Sequence, residues 1–260
     1  MLKKRVLMKL MGNKKLVGVI TIAVIVIGVG LNSISNAQNS VVKHSISQSN
    51  AYVRNVDGKV YTPDKLEIMG YKPMDYAQAM SYILTCASAN GFSVEDMDLN
   101  GITLEEHLVN TNTVAYYENV DPNVILVQQL IETSHYMYKY TTNDGTIKES
   151  SVKPEYHNFA GLGATDSNPK PSQYSNDIHG QLAQTQHLVA YATTEDVKTK
   201  LVDDRFQYVQ RGKAPTVLGL SKAWASNESY GQHIAKKYTE LMNHEVNEGL
   251  VKKYAKKVYG

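Results

Sequence analysis

The tightest constraint on this chain is Asp121-Pro122 followed by Val124, Val127, Leu130 and Ile131. Aspartate supplies an N-cap oxygen, and proline suits the first helical turn because the N–H it lacks has no intrahelical partner there. Apolar side chains three and four residues apart fall on one face, so the spacing predicts a buried helix over 122–132 ending on Glu132. Directly after it, residues 133–176 turn to Gly, Asn, Ser, Thr, Pro and Tyr and lose helical periodicity. That change predicts a loop or small β lobe beside a helical lobe.

Other stretches carry their own start and stop signals. Pro73 and Asp75 open a helix over Tyr76–Ala89, closed by Asn90-Gly91. Thr103-Leu104-Glu105-Glu106 has the spacing of a capping box and predicts a helix from Leu104 to about Tyr117. A further helix over 176–193 places Ile178, Leu182, Val189 and Ala192 on one side, and residues 198–235 read as short elements. The tail from Lys236 to Tyr259 is amphipathic, with lysine pairs at 236–237, 252–253 and 256–257 that solvate a terminal helix. The fold class expected is mainly α (α+β).

The formal net charge of +2 conceals two different regions. Residues 1–37 hold six basic side chains and no acid, which leaves 21 basic against 25 acidic residues, or −4, in the remainder. A mildly acidic body lacks the field that gathers phosphates, so nucleic acid is not an expected partner. The basic residues precede an uncharged apolar run, Leu16 to Leu31, and then Ser35-Asn36-Ala37. That order reads as a secretory signal cut after Ala37, with retention as a single-pass membrane anchor the alternative; either places the body outside the cytoplasm. Residues 38–50 read as a Ser/Asn/Gln-rich linker, 51–114 as an N-terminal helical segment, 115–245 as the main domain and 246–260 as a helical tail. The lone Cys86 excludes an intrachain disulfide and a Cys-rich zinc site, and its place on an apolar helix reads as packing.

A carboxylate ending an apolar helix against a polar segment is a candidate general acid. Partial burial disfavours its ionised form and brings its pKa toward neutrality, as protonating a glycosidic oxygen requires. Glu132 and His135 have the spacing of a di-iron half-site, but no second such pair is present and bundle-type sites need two, so no metal is expected. His187 lies in an apolar helix and reads as a satisfied core histidine rather than a ligand.

Several blocks carry a resemblance. Asp121 to Ser134, Asn158-Phe-Ala-Gly-Leu-Gly-Ala-Thr165, His187 to Ala192, Asp204 to Gly212 with Ala214-Pro215, and Trp224-Ala-Ser with Tyr230-Gly231 occur in order over about 115–240. Together they resemble the glucosaminidase domain of glycoside hydrolase family 73, the lysozyme-like group labelled mannosyl-glycoprotein endo-β-N-acetylglucosaminidase. The resemblance implies a lysozyme-like architecture: a helical lobe, a small irregular or β lobe, and a cleft between them. It implies hydrolysis of peptidoglycan glycan strands at the β-1,4 bond on the reducing side of N-acetylglucosamine, without a cofactor. Glu132 matches the glutamate of the family's P-x-x-x-x-x-Q-x-x-x-E-[ST] helix and would be the general acid. Asn158, Phe159, Ala160 and Gly161 would form a turn lining the cleft opposite it, with glycine allowing close approach of a sugar.

The second carboxylate is less clearly marked. Asp144, Glu149, Glu155 and Asp166 are available; Asp166 has the better spacing and Glu155 is nearer the Asn-Phe-Ala-Gly turn. Either would activate water, and its distance from Glu132 would report on inversion or retention; failing both, the substrate's 2-acetamido group would serve as nucleophile. Eighteen tyrosines against three phenylalanines suit sugar contacts, since tyrosine offers both an apolar face and a hydroxyl. Tyr136, Tyr138, Tyr156, Tyr208, Trp224 and Tyr230 are candidate cleft walls. Where the family ends in Y-A-T-D-x-x-Y, this chain has Trp224 for the first tyrosine, which puts the active-site role on Tyr230. A muramidase or lytic transglycosylase, or a weakly catalytic wall-binding or scaffolding module, are the competing expectations.

Overall fold

A computed structural model describes residues 58–93, 96–141, 144–150, 152–163 and 170–259. The chain divides between Arg54 and Asn55, and every described residue belongs to the second unit. The expected signal or anchor, the linker and Asp166 lie outside the described residues. No helix among those described is long and apolar enough to cross a membrane.

The architecture is mainly α. Six helices occur among the described residues: α1 (Tyr76–Ala89), α2 (Leu104–Glu118), α3 (Pro122–Glu132), α4 (Asp177–Ala192), α5 (Tyr230–Met242) and α6 (Glu248–Tyr259). Local capping explains their boundaries. Asp75 accepts a hydrogen bond from the Gln78 amide at the start of α1. Thr103 and Glu106 form the reciprocal capping box of α2, with Thr103 Oγ1 accepting from Glu106 N at 3.1 Å and Glu106 Oε2 accepting from Thr103 N at 2.9 Å. Asp121 caps α3 by accepting from the Asn123 amide at 2.9 Å.

α3 lies at the centre of this packing. The expected stripe proves too narrow: Val124, Ile125, Leu126, Val127, Gln128, Gln129 and Leu130 are all sealed from solvent. A helix buried all round is surrounded by other elements rather than laid on a surface. Helix α2 packs on both α3 and α4, α5 packs on α3, and α6 packs on α1. One apolar core runs from Leu66 and Ile68 through α1 to Tyr238 and Tyr254, so residues 66–114 share the core of the main domain.

The expected single terminal helix is two. α5 stops at Asn243, and the joint is held by α1: Gln78 Nε2 donates to His244 O at 3.0 Å, and Ser81 Oγ accepts from Asn247 N at 2.7 Å. Tyr254 on α6 then accepts from the Leu104 amide at 2.7 Å, satisfying a helix N-terminus across the molecule.

Between α3 and α4 the described residues are mostly irregular. Their regular structure is one antiparallel hairpin, β1 (Lys139–Thr141) with β2 (Ile147–Glu149), in the register Lys139 to Glu149, and a short 3-10 helix, Pro154–Tyr156. Ser134, His135 and Tyr136 are consecutive left-handed residues, with Tyr138 a fourth. Each such conformation costs about 1–2 kcal/mol for a residue with a Cβ. Here the turn is closed by His135 N to Leu130 O and Tyr138 N to Thr133 O, both 2.9 Å, reversing the chain immediately after Glu132.

Candidate active site

Glu132 occupies the last turn of α3, half-buried, and Tyr230 at the start of α5 donates its hydroxyl to Glu132 Oε1. Burial pushes the Glu132 carboxyl up from 4.5 to about 7, with the Tyr230 hydrogen bond pulling the other way. Its position among the free carbonyls at a helix C-terminus also disfavours a negative charge. Burial drives the Tyr230 phenol far above its ordinary value, so it stays a donor.

A buried relay of amides sets the direction of that hydrogen bond. Tyr230 Oη accepts from Gln128 Nε2 at 3.1 Å, Gln128 Oε1 accepts from Gln184 Nε2 at 2.8 Å, and Gln184 Oε1 accepts from Gln129 Nε2 at 2.9 Å. Gln129 Oε1 in turn accepts from Tyr136 Oη at 2.8 Å and lies 3.0 Å from His107 Nε2, whose Nδ1 meets Asp177 at 2.6 Å. Each amide's orientation is dictated by its neighbour, leaving Tyr230 with its own hydrogen for Glu132. The sequence signal was present: a Gln-Gln doublet inside an apolar helix and Gln181 and Gln184 three apart on another.

Gly161 stands against the other carboxylate oxygen. A methyl group added at its Cα would sit 3.5 Å from Glu132 Oε2, and its φ of +68° belongs to the region glycine favours. The turn is built by Asn158, whose Nδ2 donates to Leu162 O and Ser172 O at 2.8 and 2.9 Å and whose Oδ1 accepts from Leu162 N at 3.0 Å. Phe159 anchors it in the core, edge-on to His107 at 4.7 Å between ring centroids. Asn158 and Phe159 are buried scaffold, while Ala160 and Gly161 line a groove.

That groove, about 220 Å³, is walled by Ala160 and Gly161 on one side and by His187, Tyr191, Tyr208 and Trp224 on others. Tyr208 and Trp224, two of the expected cleft walls, both line this groove. His187 is bonded at one nitrogen, with Nδ1 2.7 Å from the buried Asp203 carboxylate, and its ring also faces the groove, edge-on to Trp224 at 5.0 Å, so the expected core histidine is satisfied on one side alone. Two residues the sequence does not mark belong here as well: Asp203 and the neighbouring Arg205, whose guanidinium lies over the Tyr208 ring at 4.5 Å.

Other expected residues fall elsewhere. Tyr136 is no cleft wall: the left-handed turn after Glu132 drives it into the core beside Gln129. Tyr138 is buried too, and Tyr156 on the short helix is not among the groove walls. Glu155 is exposed on that helix, away from the groove walls, and makes no hydrogen bond to Glu132. Asp144 and Glu149 are exposed at the hairpin. His135 turns from Glu132 toward Lys237, whose Nζ is 3.0 Å from Nε2; burial and this cation push its pKa down to about 4. Among the described residues no three His, Cys, Asp or Glu side chains cluster as metal ligands would. Cys86 is half-buried, its thiol pushed up by burial.

An uncharacterized protein of Borreliella burgdorferi is 34% identical to this chain over 147 residues, covering 54% of this chain and 67% of the relative. The chain belongs to one family with that protein. No family model matches the sequence, and no solved structure matches it.

Proposed function

We propose that this chain is a peptidoglycan hydrolase of lysozyme-like architecture, exported by its N-terminal segment and cutting β-1,4 bonds of wall glycan with Glu132 as general acid. The observation that carries this reading is a single carboxyl, pushed up to about 7, set between the Tyr230 hydroxyl and the bare backbone of Gly161 at the edge of an aromatic-walled groove. A group with that pKa is still substantially protonated near neutrality and gives its proton up readily, which suits a departing glycosidic oxygen. Helices α2–α5 would form the helical lobe and residues 133–176 the small lobe, with the groove as the cleft.

Among the described residues no second carboxylate is hydrogen-bonded to Glu132 or walls the groove beside it. That favours participation by the substrate: the 2-acetamido oxygen attacks C1 as Glu132 protonates the leaving oxygen. Water then opens the ring so formed, and the Glu132 carboxylate takes its proton. Tyr230, donating throughout, stabilises the carboxylate that forms between the two steps. With Asp166 outside the described residues, a water-activating role for it is the variant in which a second acid serves as base.

The test is turnover of purified wall by the exported body, residues 38–260, beside Glu132→Gln. Loss of a general acid is expected to cost roughly a hundredfold to ten-thousandfold. A single acid also suits a muramidase or lytic transglycosylase, and the new chain end separates them. Reducing N-acetylglucosamine is expected, whereas reducing muramic acid or an anhydro end would reassign the bond. Wall binding without turnover would leave the module reading.

A further inference from the structure

Of the eleven residues that wall the groove, Arg205 is the one with a permanent charge. It forms no ion pair among the described residues. Its half-buried guanidinium is braced on the Tyr208 face, and its backbone is pinned where Arg205 N donates to Asp203 Oδ1 at 2.9 Å. The same Asp203 holds His187 through Nδ1, and Nε2 of that ring has no hydrogen-bond partner among the described residues. Nearby carboxylates are otherwise engaged: Asp203 with His187 and Arg205 N, Asp204 with Ser172 and Tyr174, and Glu132 with Tyr230. A planar cation lining the same groove as an open imidazole edge, with no anion of its own among the described residues, matches a carboxylate better than a neutral hydroxyl.

We propose that Arg205, with His187, forms an anion subsite for a carboxylate pendant from the glycan. This rests on the hydrolase reading, because it names which part of an amino-sugar polymer the groove selects. The carboxylate has two sources: the free lactyl group of a peptide-free strand, or a stem-peptide carboxylate on a substituted one. Neutral N-acetylglucosamine oligomers carry neither.

Trp224, the chain's one tryptophan, lines the same groove, so its fluorescence reads occupancy without any turnover. Three probes are titrated into the full chain, into Arg205→Ala and into Arg205→Lys: a neutral N-acetylglucosamine tetramer, soluble peptide-free strands and soluble peptide-bearing strands. Arg205→Ala is expected to weaken at least one carboxylate-bearing probe by roughly tenfold to a hundredfold more than the tetramer, as loss of a charge-assisted hydrogen bond does. Arg205→Lys recovers part of that loss, since it keeps the charge but not the fork. Selective loss on peptide-free strands assigns the lactyl group; selective loss on peptide-bearing strands assigns the stem. Equal loss on all three probes, or loss on none, overturns the subsite. Arginine-dependent binding without turnover by the parent chain would overturn the hydrolase reading and leave the subsite standing.

Discussion

Replacing Glu132 with glutamine should stabilise this protein, and only above a definite pH. The carboxyl is held at about 7 against an ordinary 4.5, chiefly by burial. At about 1.4 kcal/mol per pH unit, that gap is a penalty of about 3 kcal/mol on the ionised folded state. Between those two pH values the unfolded chain has released the proton while the folded one keeps it. The folded state binds more protons there, so stability falls as pH rises, and the full deficit persists above about 7. Below 4.5 both states are protonated and the penalty vanishes. Glutamine has the same shape, carries no charge and still accepts from Tyr230. Glu132→Gln should therefore match the parent near pH ~4 and exceed it by about 3 kcal/mol near pH ~8.5, worth roughly 6–12 °C in Tm for a domain of this size. Urea melts followed by circular dichroism at both pH values measure the difference. An equal difference at the two pH values, or a variant less stable in alkali, would refute a desolvated carboxyl at this position.

Three further outcomes follow from the same contacts. Tyr230→Phe removes the one hydrogen bond that pulls the Glu132 pKa down, so the alkaline limb of the pH–rate profile on wall substrate should move to higher pH; a move to lower pH contradicts the assigned donor. Gln128→Leu takes from Gln184 Nε2 the shorter of its two hydrogen bonds, leaving Ile125 O at 3.3 Å, and removes the donor to Tyr230 Oη, so it should cost about 1–3 kcal/mol in urea unfolding; a neutral result would mean the relay is not formed. Gly161→Ala meets both the left-handed φ and a methyl 3.5 Å from Glu132 Oε2. It should lose about 1–2 kcal/mol of stability and lower kcat, and full retention of both would remove Gly161 from the site.

The starts of α1, α2 and α3 were legible because caps are local. Asp75, Thr103 with Glu106, and Asp121-Pro122 satisfy amides within three residues of themselves, and no distant contact is needed to recognise them. Glu132 was legible for a related reason, as the polar residue at which an apolar helix must stop. Burial was not legible in the same way. An apolar stripe predicts one covered face, whereas α3 is covered on all of them because α2 and α5 close over it. Tyr136 reads as a sugar platform until a left-handed turn sends it into the core, and the single expected tail helix becomes two because Gln78 and Ser81 on α1 hold the joint. Which residues wall the groove, how each buried glutamine is partnered and how far the Glu132 pKa rises belong to tertiary structure alone. Each depends on removing water from groups far apart in sequence, and desolvation is a property of what surrounds a side chain rather than of its neighbours along the chain.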